Sequence, residues 1–171
     1  MMKKLNLLWA LVILILASCE AQEGKNRKTY TREELIEVNK QMVSDESDKI
    51  DRYIELKGLE TQKTETGLMY EIIESNTDSV TGRSGNLATI QYRSYLLDST
   101  EVAFSPIDDP LRFKIDQDDV VSGLHEGVKL LSVGDSARFI MPSHLAYGLT
   151  GSETVPPKSA LVYEVRLIAL D

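Results

Sequence analysis

The sequence predicts an α+β fold: an antiparallel, strongly twisted sheet (a half-barrel) of about five strands wrapped on one short helix, with an N-terminal helical extension. Three observations predict it. Apolar residues recur at helical spacing before Gly58, and from Gly67 onward the period switches to two. Five β-rich runs then follow, at Leu68 to Ile73, Leu87 to Leu97, Leu111 to Ile115, Ser136 to Met141 and Ala160 to Leu170. Only the stretch opened by Ser122 returns to helical spacing between them.

At the N-terminus, Lys3 and Lys4 precede an apolar run from Leu5 to Leu16, and Leu16-Ala17-Ser18-Cys19 follows. The run is too short for a membrane-spanning helix. Cys19 is the only cysteine among 171 residues, placed where the apolar stretch gives way to an acidic chain. This arrangement resembles the lipobox of bacterial lipoproteins, which implies a signal peptide over residues 1–18, cleavage before Cys19 and a diacylglycerol on its thiol. The protein is then expected in the cell envelope, on the periplasmic side or at the outer membrane, held to the membrane by lipid. No second cysteine is available for an internal disulfide, so stability must come from packing.

Residues 19–30 are polar and read as a tether. Thr31-Arg32-Glu33-Glu34 has the form of a capping box and starts a helix. Leu35, Val38, Met42, Ile50 and Tyr53 fall near one stripe of it, and Gly58 offers the C-terminal stop. Residues 31–65 are thus a helical extension: an arm that pairs two copies as a homodimer, a spacer that holds the domain off the membrane, or a helix that packs on its own domain. The domain proper runs over residues 66–171. In its last run, Leu161, Tyr163, Val165 and Leu167 alternate with Val162, Glu164, Arg166 and Ile168, as in an antiparallel strand with one buried side. Ser122 is expected to cap the short helix, whose apolar face is Leu124, Val128 and Leu131, and Gly134-Asp135 turns the chain into the next strand.

The net charge of −8 and pI near 4.9 repel phosphate backbones, which excludes nucleic acid as a natural partner. The acidity is a solubility feature. His125 and His144 are the only histidines and share no ligand-like spacing, so no metal site is expected. Ser122 and His125 lie on one helix in poor geometry for a nucleophile and its base. Gly123-Leu-His-Glu-Gly127 lacks the Gly-Lys-Ser/Thr ending of a phosphate loop. No cofactor is expected.

Five segments in register, Val120-Val-Ser-Gly-Leu-His-Glu-Gly127, Leu131-Ser-Val-Gly-Asp135, Ala146-Tyr-Gly148, Val155-Pro-Pro157 and Leu161-Val-Tyr-Glu-Val165, resemble the FKBP-type peptidyl-prolyl cis-trans isomerases. The resemblance covers about Thr66 to Asp171, and Thr66-Gly-Leu-Met-Tyr70 is similar to the opening strand of bacterial members. With the lipobox and helical extension, the chain looks most like the lipoprotein forms, including the gliding-motility-associated ones. The resemblance implies rotation about Xaa-Pro bonds of exported polypeptides. That reaction breaks no bond and needs no acid, base, metal or nucleophile; its barrier of about 18–20 kcal/mol comes from amide resonance. An apolar pocket that strips water from the imide, with fixed donors to orient the flanking backbone, is sufficient.

Carried onto this chain, the resemblance makes Tyr92, Val121 and Tyr147 the catalytic set, with the Val121 amide and the Tyr147 hydroxyl bonding substrate carbonyls. Leu111, Leu124, Val155 and Tyr163 would line the pocket, Asp119 and Val120 its rim. Two departures stand out. Leu124 occupies the place of the usual Trp floor, and the usual Phe-Asp pair falls on Val102-Ala103. A shift of two residues makes Phe104 the aromatic wall, with Ser105 behind it, and restores no Asp. The family's pocket arginine is missing between Phe104 and Pro110. Weaker isomerase activity and poor binding of the family's macrolide inhibitors are expected. The alternative is a domain that has lost catalysis and binds peptides as a chaperone or envelope assembly partner.

Overall fold

The structure, a computed structural model, describes residues 30–76 and 81–171. The expected signal peptide, Cys19 and the tether as far as residue 29 lie outside the described residues. No helix among the described residues is long and apolar enough to cross a membrane. Residues 40–171 form the larger of two compact units.

The first helix, α1, spans Arg32–Lys57. Its start is the capping box: the Glu34 N–H donates to Thr31 Oγ1 at 3.2 Å and the Thr31 N–H to Glu34 Oε2 at 2.8 Å. Its end is a left-handed Gly58 at φ 63°, with the Leu59 N–H donating to the Ile54 carbonyl and the Gly58 N–H to that of Glu55.

Seven antiparallel strands make one open sheet: β1 (Gln62–Lys63), β2 (Met69–Glu74), β3 (Leu87–Leu96), β4 (Glu101–Phe104), β5 (Leu111–Lys114), β6 (Ser136–Met141) and β7 (Leu161–Leu170). Their order is β1-β2-β6-β7-β3-β4, with β5 also paired to β3. All five runs expected from the sequence are strands, within a residue at each end. The two extra strands had no periodicity to announce them. β1 has two exposed residues, and β4 is four residues long, pairing with the part of β3 that outruns β5.

The alternation along β7 is realised on its inner face, where Leu161, Tyr163, Val165 and Leu167 are buried with Leu68, Ile90, Phe113 and Phe139. The helix α2 (Ser122–Val128) packs on this face through Leu124 and Val128. Gly127 lets it approach, because a Cβ there would stand 2.6 Å from the Phe139 ring. Ser122 does not cap it. The N-cap is Val121, without a side-chain bond, and the Ser122 hydroxyl donates instead to the Leu145 carbonyl at 3.2 Å, because the helix start abuts the 3₁₀ turn Ser143–Leu145. On the outer face Val162 is buried too, since Ile50 of α1 packs over it with Met69, Ile140 and Ala160. The C-terminal part of α1 thus covers the sheet opposite α2.

Candidate active site

At one end of the inner face a cavity of about 560 Å³ opens between β3, β7, α2 and two loops. Period-two alternation puts Tyr92 of β3 and Tyr163 of β7 on the same face, one diagonal step apart in register. Their rings stack at 5.5 Å between centroids and 28° between planes. Leu124, on the first turn of α2, is the buried apolar floor, and Leu111 enters from the start of β5. The connection from β5 to α2 supplies Asp119, Val120 and Val121. Val121 precedes the first helical turn, and among the described residues its N–H donates to no acceptor, as expected of a helix's unpaired first donors.

Tyr147 comes from the loop after β6 and is 38% exposed. The 3₁₀ turn that leads to it is tied down on both sides. The Ser143 carbonyl accepts from the Ala146 and Gly148 N–H groups, and Gly148 takes φ 62°. From α1, Glu46 accepts both the Ser143 N–H, at 2.6 Å, and the Ser143 hydroxyl, at 3.0 Å. Burial pushes the Tyr163 phenol well above its usual range, and the neighbouring Tyr147 and Tyr92 push the same way. Burial, then Tyr147, also raises Tyr92. Both groups are therefore neutral donors at physiological pH.

Eight of the ten residues proposed from the sequence line this one cavity: Tyr92, Leu111, Asp119, Val120, Val121, Leu124, Tyr147 and Tyr163. Phe104 and Val155 do not. Phe104 is half-exposed at the end of β4, opposite Arg93, whose guanidinium lies 5.8 Å over its ring. Ser105, behind it, bonds the Tyr92 backbone from the edge of the sheet. Val155 is 1% exposed within the main core, beneath the site. Ser122 and Ala146 also line the cavity. Their adjacency to Val121 and Tyr147 was the only sequence signal for them. Asp119 is the sole charged side chain in the lining, and no group of three or more His, Cys, Asp or Glu suited to a metal occurs among the described residues. The chemistry on offer is desolvation against aromatic and apolar walls, with neutral donors at fixed positions.

Comparison with known proteins gives the same picture. The family model for FKBP-type peptidyl-prolyl cis-trans isomerase matches residues 79–168. The chain is 33% identical over 112 residues to the FKBP-type peptidyl-prolyl cis-trans isomerase FkpA of Aeromonas hydrophila, covering 64% of this chain and 40% of that protein. It is 30% identical over 119 residues to FkpA of Escherichia coli K12, covering 69% and 42%. The chain thus spans about two-fifths of the length of these relatives. In fold it is similar to the crystal structure of a peptidyl-prolyl cis-trans isomerase from Pseudomonas syringae, with a TM-score of 0.66, 21% identity, and coverage of 77% of this chain and 95% of that one.

Proposed function

Because this chain belongs to the FKBP-type peptidyl-prolyl cis-trans isomerase family, we propose that its cavity accelerates cis-trans isomerisation of Xaa-Pro bonds in exported polypeptides. The observation that carries the reading is the convergence of the stacked Tyr92 and Tyr163, the Leu124 floor and the unpaired Val121 N–H on one cavity, roomy enough for a prolyl ring and the chain on either side of it. A proline ring seated on Leu124 loses its water, and the planar imide, whose charge-separated resonance form depends on hydration, is destabilised relative to the twisted state. The Val121 N–H holds one substrate carbonyl and the Tyr147 hydroxyl another, so that rotation occurs about a fixed backbone.

Leu124 in place of a tryptophan leaves less aromatic area against the ring, so activity is modest and macrolide inhibitors bind poorly. The test is cis-to-trans relaxation of a short Xaa-Pro peptide, with Tyr147→Phe alongside. Acceleration proportional to protein and reduced in the variant supports catalysis. A folded protein that binds the peptide without accelerating it would instead be a peptide-binding chaperone.

We also read residues 1–18 as a signal peptide, Cys19 as lipidated and residues 19–30 as the tether to an envelope membrane, on the strength of Lys3, Lys4, the short apolar run and the lone cysteine. The mass of the mature N-terminus decides this; an unmodified Met1 would refute it. Leu35, Ile36 and Val38 are exposed on the first turns of α1. They support pairing of two copies through the helix, which the solution mass of the purified protein tests.

A further inference from the structure

The connection from β5 to α2 ends in the cavity rim, and a side chain of α2 outside the cavity binds its backbone at two points. We propose that His125 is a positioning residue for the prolyl site, fixing the Val121 amide through the backbone of residues 116–120; this rests on the isomerase reading above.

Both ring nitrogens are committed to main chain. The Asp116 N–H donates to His125 Nδ1 at 2.9 Å, so Nδ1 must present its lone pair. Nε2 lies 3.0 Å from the Asp118 carbonyl oxygen, an acceptor only, so Nε2 must carry the hydrogen. One neutral tautomer meets both demands. The ring also stands edge-on to the buried Phe113, 5.4 Å between centroids at 71°, which removes its rotational freedom.

What the ring holds needs holding. Asp116 takes φ 63°, a left-handed conformation that a residue with a side chain adopts at a cost. The Asp116 carboxylate is bridged by Lys129 Nζ at 3.0 Å to each oxygen, and the Lys114 N–H donates to Asp118 Oδ2 at 2.7 Å. The carbonyl that His125 engages is the one to which the Val120 N–H donates, at 3.0 Å. The chain of contacts therefore runs from His125 to the Asp118 carbonyl, to the Val120 N–H, and across one peptide unit to the unpaired Val121 N–H in the cavity wall. A donor that must meet a substrate carbonyl gains nothing from being present unless it is aimed.

The test uses variants of the full-length protein that divide the two nitrogens. An asparagine side-chain oxygen falls near the place of Nδ1 and a glutamine nitrogen near that of Nε2, so His125→Asn keeps the acceptor and His125→Gln keeps the donor; His125→Phe keeps only the ring. With a Leu-Pro peptide, His125→Phe is expected to lose about three- to tenfold in kcat/KM, the worth of one or two neutral hydrogen bonds. Glutamine, which retains the bond to the Asp118 carbonyl, should recover more than asparagine. Amide NMR gives a readout independent of turnover: His125→Phe should move the Val120 and Val121 resonances, and the wild-type imidazole should show a bare Nδ1 and a protonated Nε2. Unmoved Val120 and Val121 amides, the opposite tautomer, or an unchanged kcat/KM in the phenylalanine variant would each overturn the proposal. Should the wild type fail to accelerate the peptide, the isomerase reading falls, and the amide shifts alone then decide the brace.

Discussion

Glu46 is the point at which α1 touches the machinery of the site, and Glu46→Ala is the substitution whose effect the structure prices most directly. The carboxylate accepts two hydrogen bonds from Ser143, from the N–H at 2.6 Å and from Oγ at 3.0 Å, and Ser143 is 7% exposed. The N–H belongs to the opening of the 3₁₀ turn, where no earlier carbonyl can accept it. Alanine leaves two donors at a buried residue unpaired. Hydrogen bonds to a charged acceptor contribute about 1.5–3 kcal/mol, and Glu46 itself is only half-buried, so the pair together is worth about 1.5–3 kcal/mol. For a chain of this size that lowers Tm by about 3–12 °C. Glu46→Gln, which retains one acceptor oxygen, should lose roughly half as much. Urea unfolding gives the free energy, and peptide isomerisation on the same samples reports whether Tyr147, four residues beyond Ser143, has lost its aim. A change below about 0.5 kcal/mol with unchanged kcat/KM would mean that the bond is an ordinary surface contact and that α1 has no part in the site.

Ile50→Ala empties the centre of the outer-face cluster, where Ile50 is 1% exposed, and should cost about 2–5 kcal/mol by urea denaturation; a loss under 1 kcal/mol would show that α1 is not packed on the sheet. Gly127→Ala puts a Cβ 2.6 Å from a Phe139 ring that is fully buried and cannot swing away, so about 1–3 kcal/mol or more should be lost, and a wild-type Tm would refute the close seat of α2 on β6. Tyr163 carries a raised folded pKa, first because it is buried and then because Tyr147 and Tyr92 adjoin it. Its stabilising effect is complete below the unfolded tyrosine value of about 10 and is lost as the pH rises beyond it, because the unfolded chain releases a proton that the folded one keeps. Stability should therefore fall above about pH 10 by up to about 1.4 kcal/mol per pH unit from this residue, and Tyr163→Phe should flatten that slope; an identical slope in the variant would contradict the burial of the phenol.

The parts of the fold legible in the sequence are those in which each residue's environment repeats with the local period. β3, β5, β6 and β7 were legible because every second residue turns to the inner face and most of those are apolar, and α1 is bounded by Thr31, Glu34 and Gly58 because capping is a local matter. β4 had no such signal: Glu101 to Phe104 is a strand only because β3 is long enough to offer it a partner, a fact about residues ten positions away. The same distinction separates the site residues. Tyr92, Tyr163 and Leu124 sit where alternation or the helix face placed them, whereas Phe104 was set in the pocket by sliding a loop against a motif, and the pairing of Arg93 with Phe104 turns it away. Ser122 departs from the local rule for a non-local reason. A serine at a helix start ordinarily caps it, but here a carbonyl from Leu145, twenty-three positions on, competes for the hydroxyl. His125 was invisible as a site residue because both its partners are main-chain atoms, and Glu46 because its partner Ser143, bonded through N–H and hydroxyl, lies ninety-seven positions away.

The cavity's departures from the family pattern and its two braces bear on one problem. A carboxylate beside Tyr147 would accept from the phenol and hold it, but the only carboxylate in this lining is Asp119, exposed at the rim. The phenol is left among neutral groups, Tyr92 and Tyr163, which pull on it far less than a charge would. Orientation has to come from elsewhere. It comes from the backbone that carries each donor: Glu46 fixes the turn leading to Tyr147, and His125 fixes the segment leading to Val121. On the isomerase reading proposed above, the Tyr147 hydroxyl faces only neutral phenols, Tyr163 among them, and no carboxylate competes with a substrate carbonyl for it. Such a site, on that same reading, gives up the affinity that a charged partner and a tryptophan floor would supply. It keeps the two features that rotation about an imide requires, a dry seat for the ring and stationary donors for the chain on either side.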